Sequence, residues 1–118
     1  MILVTLHDLP PSVNASLALR PYGPRMAICK TRDYTKWIEA AAMLVRAQRK
    51  GKEITGPVEF RFTARRPRST ADLDNRLKPA IDACQKGGAI QNDNQIVRIV
   101  AEWSETIDAP TVILTEAA

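Results

Sequence analysis

Alternation of apolar and polar positions marks the strands of this chain. Ile2-Leu3-Val4-Thr5-Leu6 is β-branched and apolar and is stopped by Pro10-Pro11-Ser12, which predicts a first strand over 2–6. Val58, Phe60 and Phe62 alternate with Glu59, Arg61 and Thr63, the pattern of a half-buried strand with one polar face. Val97, Ile99, Ala101 and Trp103 alternate in the same way between Gln95 and Trp103. Residues 111–115 supply a last strand after the turn at Asp108-Ala109-Pro110. Twice the period becomes helical. Trp37, Ala41, Leu44 and Val45 predict a helix over 35–50, with Thr35 as its cap and Gly51 as its stop. Its last turn carries Arg46, Arg49 and Lys50, which suit the negative end of the helix dipole. Leu73, Leu77, Ile81 and Cys84 form one stripe and predict a second helix over 75–86, stopped by Gly87-Gly88. Pro79 fits that helix only near its first turn, where the backbone N–H has no partner to lose. The helix therefore begins beside Asp74 or Asn75.

Residues 12–33 show neither period. Pro21, Gly23 and Pro24, with Arg20, Arg25, Lys30 and Arg32, predict a long basic loop, a feature that in a small domain is functional or wrongly assigned. The order β-α-β-α-β-β predicts an α+β fold, a small mixed sheet with two helices packed on it. A length of 118 residues predicts one domain over 1–118 with a single core.

Composition narrows the class. Hydrophobic residues make up 45% and charged residues 25%, ordinary for a soluble globular protein. Seventeen Lys+Arg against thirteen Asp+Glu give +4, a balance that suits a polyanionic partner without demanding one. Cys29 and Cys84 form no C-x-x-C pair, and His7 alone does not complete a zinc set with them. Both are expected to be buried thiols of a cytoplasmic protein. No apolar run reaches the ~18 residues of a membrane helix. The apolar N-terminus lacks a basic lead-in and is expected to be a strand rather than a signal peptide.

The candidate chemistry lies in Asp72-Leu73-Asp74-Asn75-Arg76-Leu77-Lys78. In extended backbone, side chains two apart share a side, so Leu73 is expected to turn inward and both carboxylates outward. Two carboxylates on one face suit a hard cation such as Mg²⁺, and a third ligand must come from elsewhere. Asp93 is the candidate. A helix of about 11–12 residues travels roughly 16–18 Å, so Asp93 must be carried back that far, or meet the pair from a second copy. Lys78, one turn beyond Asp74, can neutralise charge developing on a phosphate. Asp82, one turn further, can orient Lys78 or approach the metal. Upstream, Arg65-Arg66-Pro67-Arg68 offers a phosphate backbone somewhere to rest, with Asn75 as a further DNA contact. Trp37 and Trp103 look like core residues, leaving Tyr22 as the loop aromatic placed for a base.

Each of these residues has a plainer role. Asp74 can be a helix N-cap, worth about 0.5–2 kcal/mol. Asp74, Lys78 and Asp82 can be a surface ladder at about 0.2–0.5 kcal/mol per pair. Asp93 between two asparagines can be a turn residue. Arg65, Arg66 and Arg68 can be solvated. D-x-D alone is a weak motif; the combination with Lys78, the arginines and Asp93 is harder to reach by chance.

That combination resembles the RusA-type Holliday junction resolvases. The likeness rests on Asp72-Leu73-Asp74-Asn75 with Lys78, Asp82 and Asp93, and on the basic run before them. It extends to Leu9-Pro10-Pro11-Ser12 with Asn14, to Lys86-Gly87-Gly88, and to Asn92-Asp93-Asn94-Gln95-Ile96-Val97. It spans nearly the whole chain. The resemblance implies a homodimeric, Mg²⁺-dependent endonuclease (with Mn²⁺ as a substitute) that cuts four-way DNA junctions symmetrically, of a kind often carried by phages or prophages. Asp72, Asp74 and Asp93 match the family's essential aspartates, and Lys78 its lysine. Pro79 departs from the pattern, standing where a plain helix former is usual. The segment after the prolines (Ala15, Leu17, Ala18, Leu19) is poorer in aromatic and basic residues than the family pattern. Two other readings stand beside it: a metal-dependent nuclease for flaps, forks or RNA, and a non-catalytic structure-specific DNA-binding module.

Overall fold

A computed structural model describes residues 1–12, 17–22, 25–30 and 32–117, with 17–22 and 25–30 described by their backbone. Strands β1 (Ile2–Thr5), β4 (Val58–Ala64), β5 (Ile96–Trp103) and β6 (Thr111–Glu116) form one sheet in the order β1-β6-β4-β5. Only the β4–β5 pair is parallel; β6 runs antiparallel to both β1 and β4. Helices α1 (Arg32–Gln48) and α2 (Leu77–Lys86) complete the layer, with α2 preceded by a 3-10 turn over Asp74–Arg76. The fold is α+β, as the pattern predicts.

One expectation fails by omission. The predicted loop over 12–33 contains an antiparallel ribbon, β2 (Leu17–Tyr22) paired with β3 (Arg25–Lys30), with Leu17 opposite Lys30 and Tyr22 opposite Arg25. Asn14, Gly23 and Pro24 lie outside the described residues, as do the side chains of Tyr22 and Cys29.

Packing follows the alternation in β4. Val58, Phe60, Phe62 and Ala64 are fully buried while the residues between them are not. The valine and the two phenylalanines each contribute about 1.5–3 kcal/mol on burial, and the alanine methyl about 0.8 kcal/mol. Val112 and Leu114 of β6 and Ile2 and Val4 of β1 continue that face. Against it lie Trp37, Ile38, Ala41 and Val45 of α1 and Ala80, Ile81, Ala83 and Cys84 of α2. The helix α1 begins three residues earlier than predicted, with Asp33 in its first turn and Thr35 inside it. A carboxylate there faces the unpaired N–H groups of the helix start.

The β5 alternation is a partial miss. Ile99 and Ala101 stand beside Phe60 and Phe62 in the parallel register, but β5 is the sheet edge. Val97 is 63% exposed and Ile99 48%, and Trp103 is only half-buried. Period two placed Ile99, Ala101 and Trp103 on the face beside Phe60, Phe62 and Ala64, but a register shift at the start of β5 leaves Val97 unpaired and turns Ile96 to the core instead.

Pro79 sits in the first turn of α2 and is buried, where its missing N–H costs nothing. At the other end, Gly88 has φ +86, its N–H donates to Gln85 O, and the Ala89 N–H donates to Cys84 O at 3.0 Å. That is a left-handed helix stop of the Schellman type. Gly87 is needed for a different reason: a Cβ there would lie 2.6 Å from Cβ of Val45 and 2.8 Å from the carbonyl oxygen of Ala42. The two helices touch at this point.

Candidate active site

The parallel pair β4–β5 requires a crossover, and α2 is that crossover. The segment carrying Asp72 and Asp74 leaves the C-terminal end of β4, and Asp93 stands just before β5 begins. Ten residues of α2 span about 15 Å, so the aspartate pair and Asp93 belong to opposite ends of the unit. Among the described residues, no three His, Cys, Asp or Glu side chains gather closely enough to hold one metal ion. The expected convergence of Asp72, Asp74 and Asp93 does not occur within this chain.

The local backbone also differs from the extended one assumed for the pair. Leu73 has φ −67 and ψ −44, which is helical. The rule that residues two apart share a side holds for strands and fails here. Leu73 does pack inward against the core, as expected. Asp72 and Asp74 are exposed. Neither forms an ion pair among the described residues, and the nearest side-chain partner of Asp72 is Asn75, whose Nδ2 donates at 3.4 Å. Asp74 is no cap, because neither the 3-10 turn nor α2 has a side-chain cap hydrogen bond.

Asp93 instead meets Lys78. The Lys78 ammonium lies 2.9 Å from Asp82 Oδ1 and 3.1 Å from Asp93 Oδ2. The long lysine side chain bridges part of the distance along α2 that the backbone leaves open. The contact with Asp82, ahead of that with Asp93, raises the Lys78 pKa above its ordinary value, against the opposing effect of burial. Asp93 is held in place by its own turn. Asn92 caps the 3-10 segment Asp93–Gln95, and the Asp93 N–H donates to Gln85 Oε1 at 3.0 Å. Gln95 anchors that turn, its Nε2 donating to the carbonyls of Ile54 and Gly56 and its Oε1 accepting from the Gln91 and Asn92 N–H groups.

Behind Asp82 stands Tyr34 of α1, whose hydroxyl donates to Asp82 Oδ2 at 2.5 Å. Burial, then the hydrogen bond and charge of Asp82, push the phenol pKa upward. Sequence reasoning missed Tyr34, which is 48 residues from its partner. It did find Asp82.

The arginines divide. Arg65 donates to the carbonyls of Glu105 and Ile107 and so ties the end of β4 to the β5–β6 loop. Its Nη2 also lies 3.9 Å from Asp108 Oδ1, and the side chain stays more than half exposed. Arg66 stacks over the Trp103 ring at 5.8 Å, while Trp103, half-buried, also packs against the edge of the core. Arg68 is exposed and forms no ion pair among the described residues. It borders two depressions, one shared with Arg66 and Trp103, the other with Asp72, Asn75 and Arg76. Arg76, absent from the predicted set, is half-buried, and its Nη1 donates to Pro10 O at 2.8 Å. Burial, and secondarily Arg68, lower its pKa.

A family model described as endodeoxyribonuclease RusA matches residues 9–115. The chain belongs to the RusA family of endodeoxyribonucleases. It is 32% identical over 90 residues to a protein of Aquifex aeolicus (strain VF5) named crossover junction endodeoxyribonuclease RusA, covering 75% of this chain and 70% of that one. As a RusA-family nuclease the chain is a hydrolase of DNA, and divalent metal dependence goes with the family. The donor chemistry agrees: Asp72, Asp74, Asp82 and Asp93 supply hard oxygens, with Lys78 as the one ammonium among them. No helix among the described residues is long and apolar enough to cross a membrane.

Proposed function

We propose that this RusA-family nuclease resolves four-way DNA junctions by paired, Mg²⁺-dependent phosphodiester cleavage, acting as a homodimer of single-domain chains on cytoplasmic DNA. Mn²⁺ is the expected substitute ion. The observation that carries the reading is the exposed Asp72–Asp74 pair, left without a cation beside a lysine already held by two other carboxylates. Uncompensated carboxylates repel a phosphodiester, so the pair makes sense at a nuclease site when a cation intervenes. The junction as substrate is supported by the printed name of the Aquifex relative.

Asp72 and Asp74 would hold the divalent ion, with Asp93 of a second copy as a further ligand, since α2 separates Asp93 from the pair within one chain. When bound, the ion supplies an acidified water and Lewis acidity at the phosphate. The Lys78–Asp93 pair does not forbid this role. Both side chains are about half exposed, and such pairs are worth roughly 0–1 kcal/mol, so Asp93 can exchange its partner at little cost. Lys78 remains held by Asp82, positioned to offset charge on the scissile phosphate. Arg66 and Arg68 contact the backbone, with Asn75 beside Asp72. Two copies match the two cuts that a two-fold junction requires.

The test is cleavage of a synthetic four-way junction with Mg²⁺ by wild type and Asp72→Asn, with duplex and single-stranded DNA as competitors. Equal rates for the two proteins would overturn the proposed role of the pair. Equal competition by all DNAs would overturn the junction preference.

A further inference from the structure

We propose that Arg76, together with Arg68, forms a clamp for a DNA backbone phosphate beside Asp72. This rests on the nuclease reading and adds a strand-binding subsite to it. Four observations on the molecule meet here. Arg76 and Arg68 border one open depression, which also holds Ser12, Thr70, Asn75 and Asp72. Neither guanidinium forms an ion pair among the described residues, although Asp72 borders the same depression. Arg76 is held in place through one N–H on the Pro10 carbonyl, which leaves most of its five donors for other acceptors. Its Nε is buried with no acceptor among the described residues.

A half-buried, unpaired cation is costly, and a second guanidinium beside it raises the cost. A phosphodiester oxygen offers what both lack, a shared anion with room for forked hydrogen bonds. A merely structural Arg76, serving to strap the Pro10 segment to the 3-10 turn, would need one neutral donor and no second arginine. The placement also gives the strand a direction. The depression with Arg66 and Trp103 shares Arg68 with this one, so the two form a continuous basic track that ends at Asp72.

The experiment measures binding apart from cleavage. A fluorescent four-way junction and a linear duplex of the same sequence are titrated with the full-length protein in Ca²⁺, at salt concentrations from 50 to about 300 mM, for wild type, Arg76→Gln, Arg76→Lys and Arg68→Gln. Each phosphate contact contributes about 0.9 to the slope of log K against log salt. Arg76→Gln is expected to lower that slope by about 1 and to weaken binding to both DNAs, since both present the backbone phosphate that the clamp holds. Arg68→Gln is expected to do the same. Arg76→Lys is expected to keep the slope, because it keeps the charge, while losing affinity with the fork. A slope for Arg76→Gln equal to wild type overturns the clamp, even if wild type cleaves junctions normally. Equal slope losses for Arg76→Gln and Arg76→Lys, accompanied by a lowered melting temperature in both, overturn it in favour of the strap. If wild type binds with the expected slopes yet cuts nothing, the clamp stands and the nuclease reading falls.

Discussion

The two acidic groups of this molecule are built on opposite plans. Asp82 and Asp93 close on one ammonium, are backed by a buried phenol, and sit on a helix and a capped turn. Asp72 and Asp74 stand at the entry to that helix with no ion-pair partner among the described residues and no cap role. The first group is complete as the chain folds; the second is left in need of something from outside. A site that only stabilised the fold would satisfy both. On the proposed reading, the chemistry lies at the helix entry and the support one turn away.

The strongest way to break this comparison is at the open pair. Asp72→Asn or Asp74→Asn is expected to reduce junction cleavage by roughly 10²–10³-fold or more, the scale of losing one charge-stabilising group at a reacting centre. Because both side chains are exposed and lack ion-pair partners, the melting temperature should stay within experimental scatter of wild type. A variant that loses activity only by unfolding would show the pair to be structural after all.

At the satisfied group, Lys78→Ala strands two carboxylates. Single-turnover cleavage should slow by about 10–100-fold, in line with losing a group that orients a reactive site. Stability should change by about 1 kcal/mol, since Lys78 and Asp93 are about half exposed and only Asp82 is mostly buried. A cleavage rate within twofold of wild type would erase the proposed link between the two groups.

Tyr34→Phe is gentler on activity and harder on the fold. It removes a buried hydrogen bond to a charged acceptor, worth about 1.5–3 kcal/mol, and should lower the denaturation midpoint accordingly. Cleavage should fall only a few-fold, because Asp82 keeps its contact with Lys78. Urea titration and a rate assay on one preparation separate the two effects.

The smallest effect is in pH. The folded-state pKa of Lys78 is raised, so its contribution to stability is complete below the unfolded value near 10.4 and fades as pH climbs through the folded one. The stability gap between wild type and Lys78→Ala should stay constant from pH 7 to about 10 and close above that. A gap that closed near neutrality would assign it to some other group. Burial of Cys84 acts in the same direction, pushing the thiol pKa up to about 12. Folding therefore loses its preference for the neutral thiol between pH ~9 and that value. Thermal melts of Cys84→Ala across this range should show a shallower alkaline decline than wild type.

How far the amino-acid order reveals such a molecule depends on the range of the forces involved. Strand β4 was legible because every second residue meets the core and nothing else interferes. Strand β5 was half legible, since alternation reports a face but not whether a neighbour covers it. The ribbon over 17–30 was hidden by Pro21, Gly23 and Pro24, which punctuate a hairpin in the same way as a loop. At the site, the motif named Asp72, Asp74, Lys78, Asp82 and Asp93, but the geometry assumed for the first two was that of a strand. Tyr34 was out of reach because its meaning depends on a helix that packs against another. Arg76 was in plain view inside the motif. At four places from Asp72 it reads as that residue's helical ion-pair partner, and only the fold shows that, among the described residues, it forms no ion pair.

Gly87 gives the supporting group a mechanical side. The absence of a Cβ lets Val45 of α1 seat directly against the end of α2, and Arg49 adds a hydrogen bond to the Gly87 carbonyl at 3.1 Å. The same two helices carry Tyr34 and Asp82 further along. They work like the arms of a pair of tongs, with position 87 at the rivet. A single methyl group there is a shim at the pivot, and the arms would part where they grip the lysine. The tolerance of the site to distant change is therefore set at a glycine with no chemistry of its own.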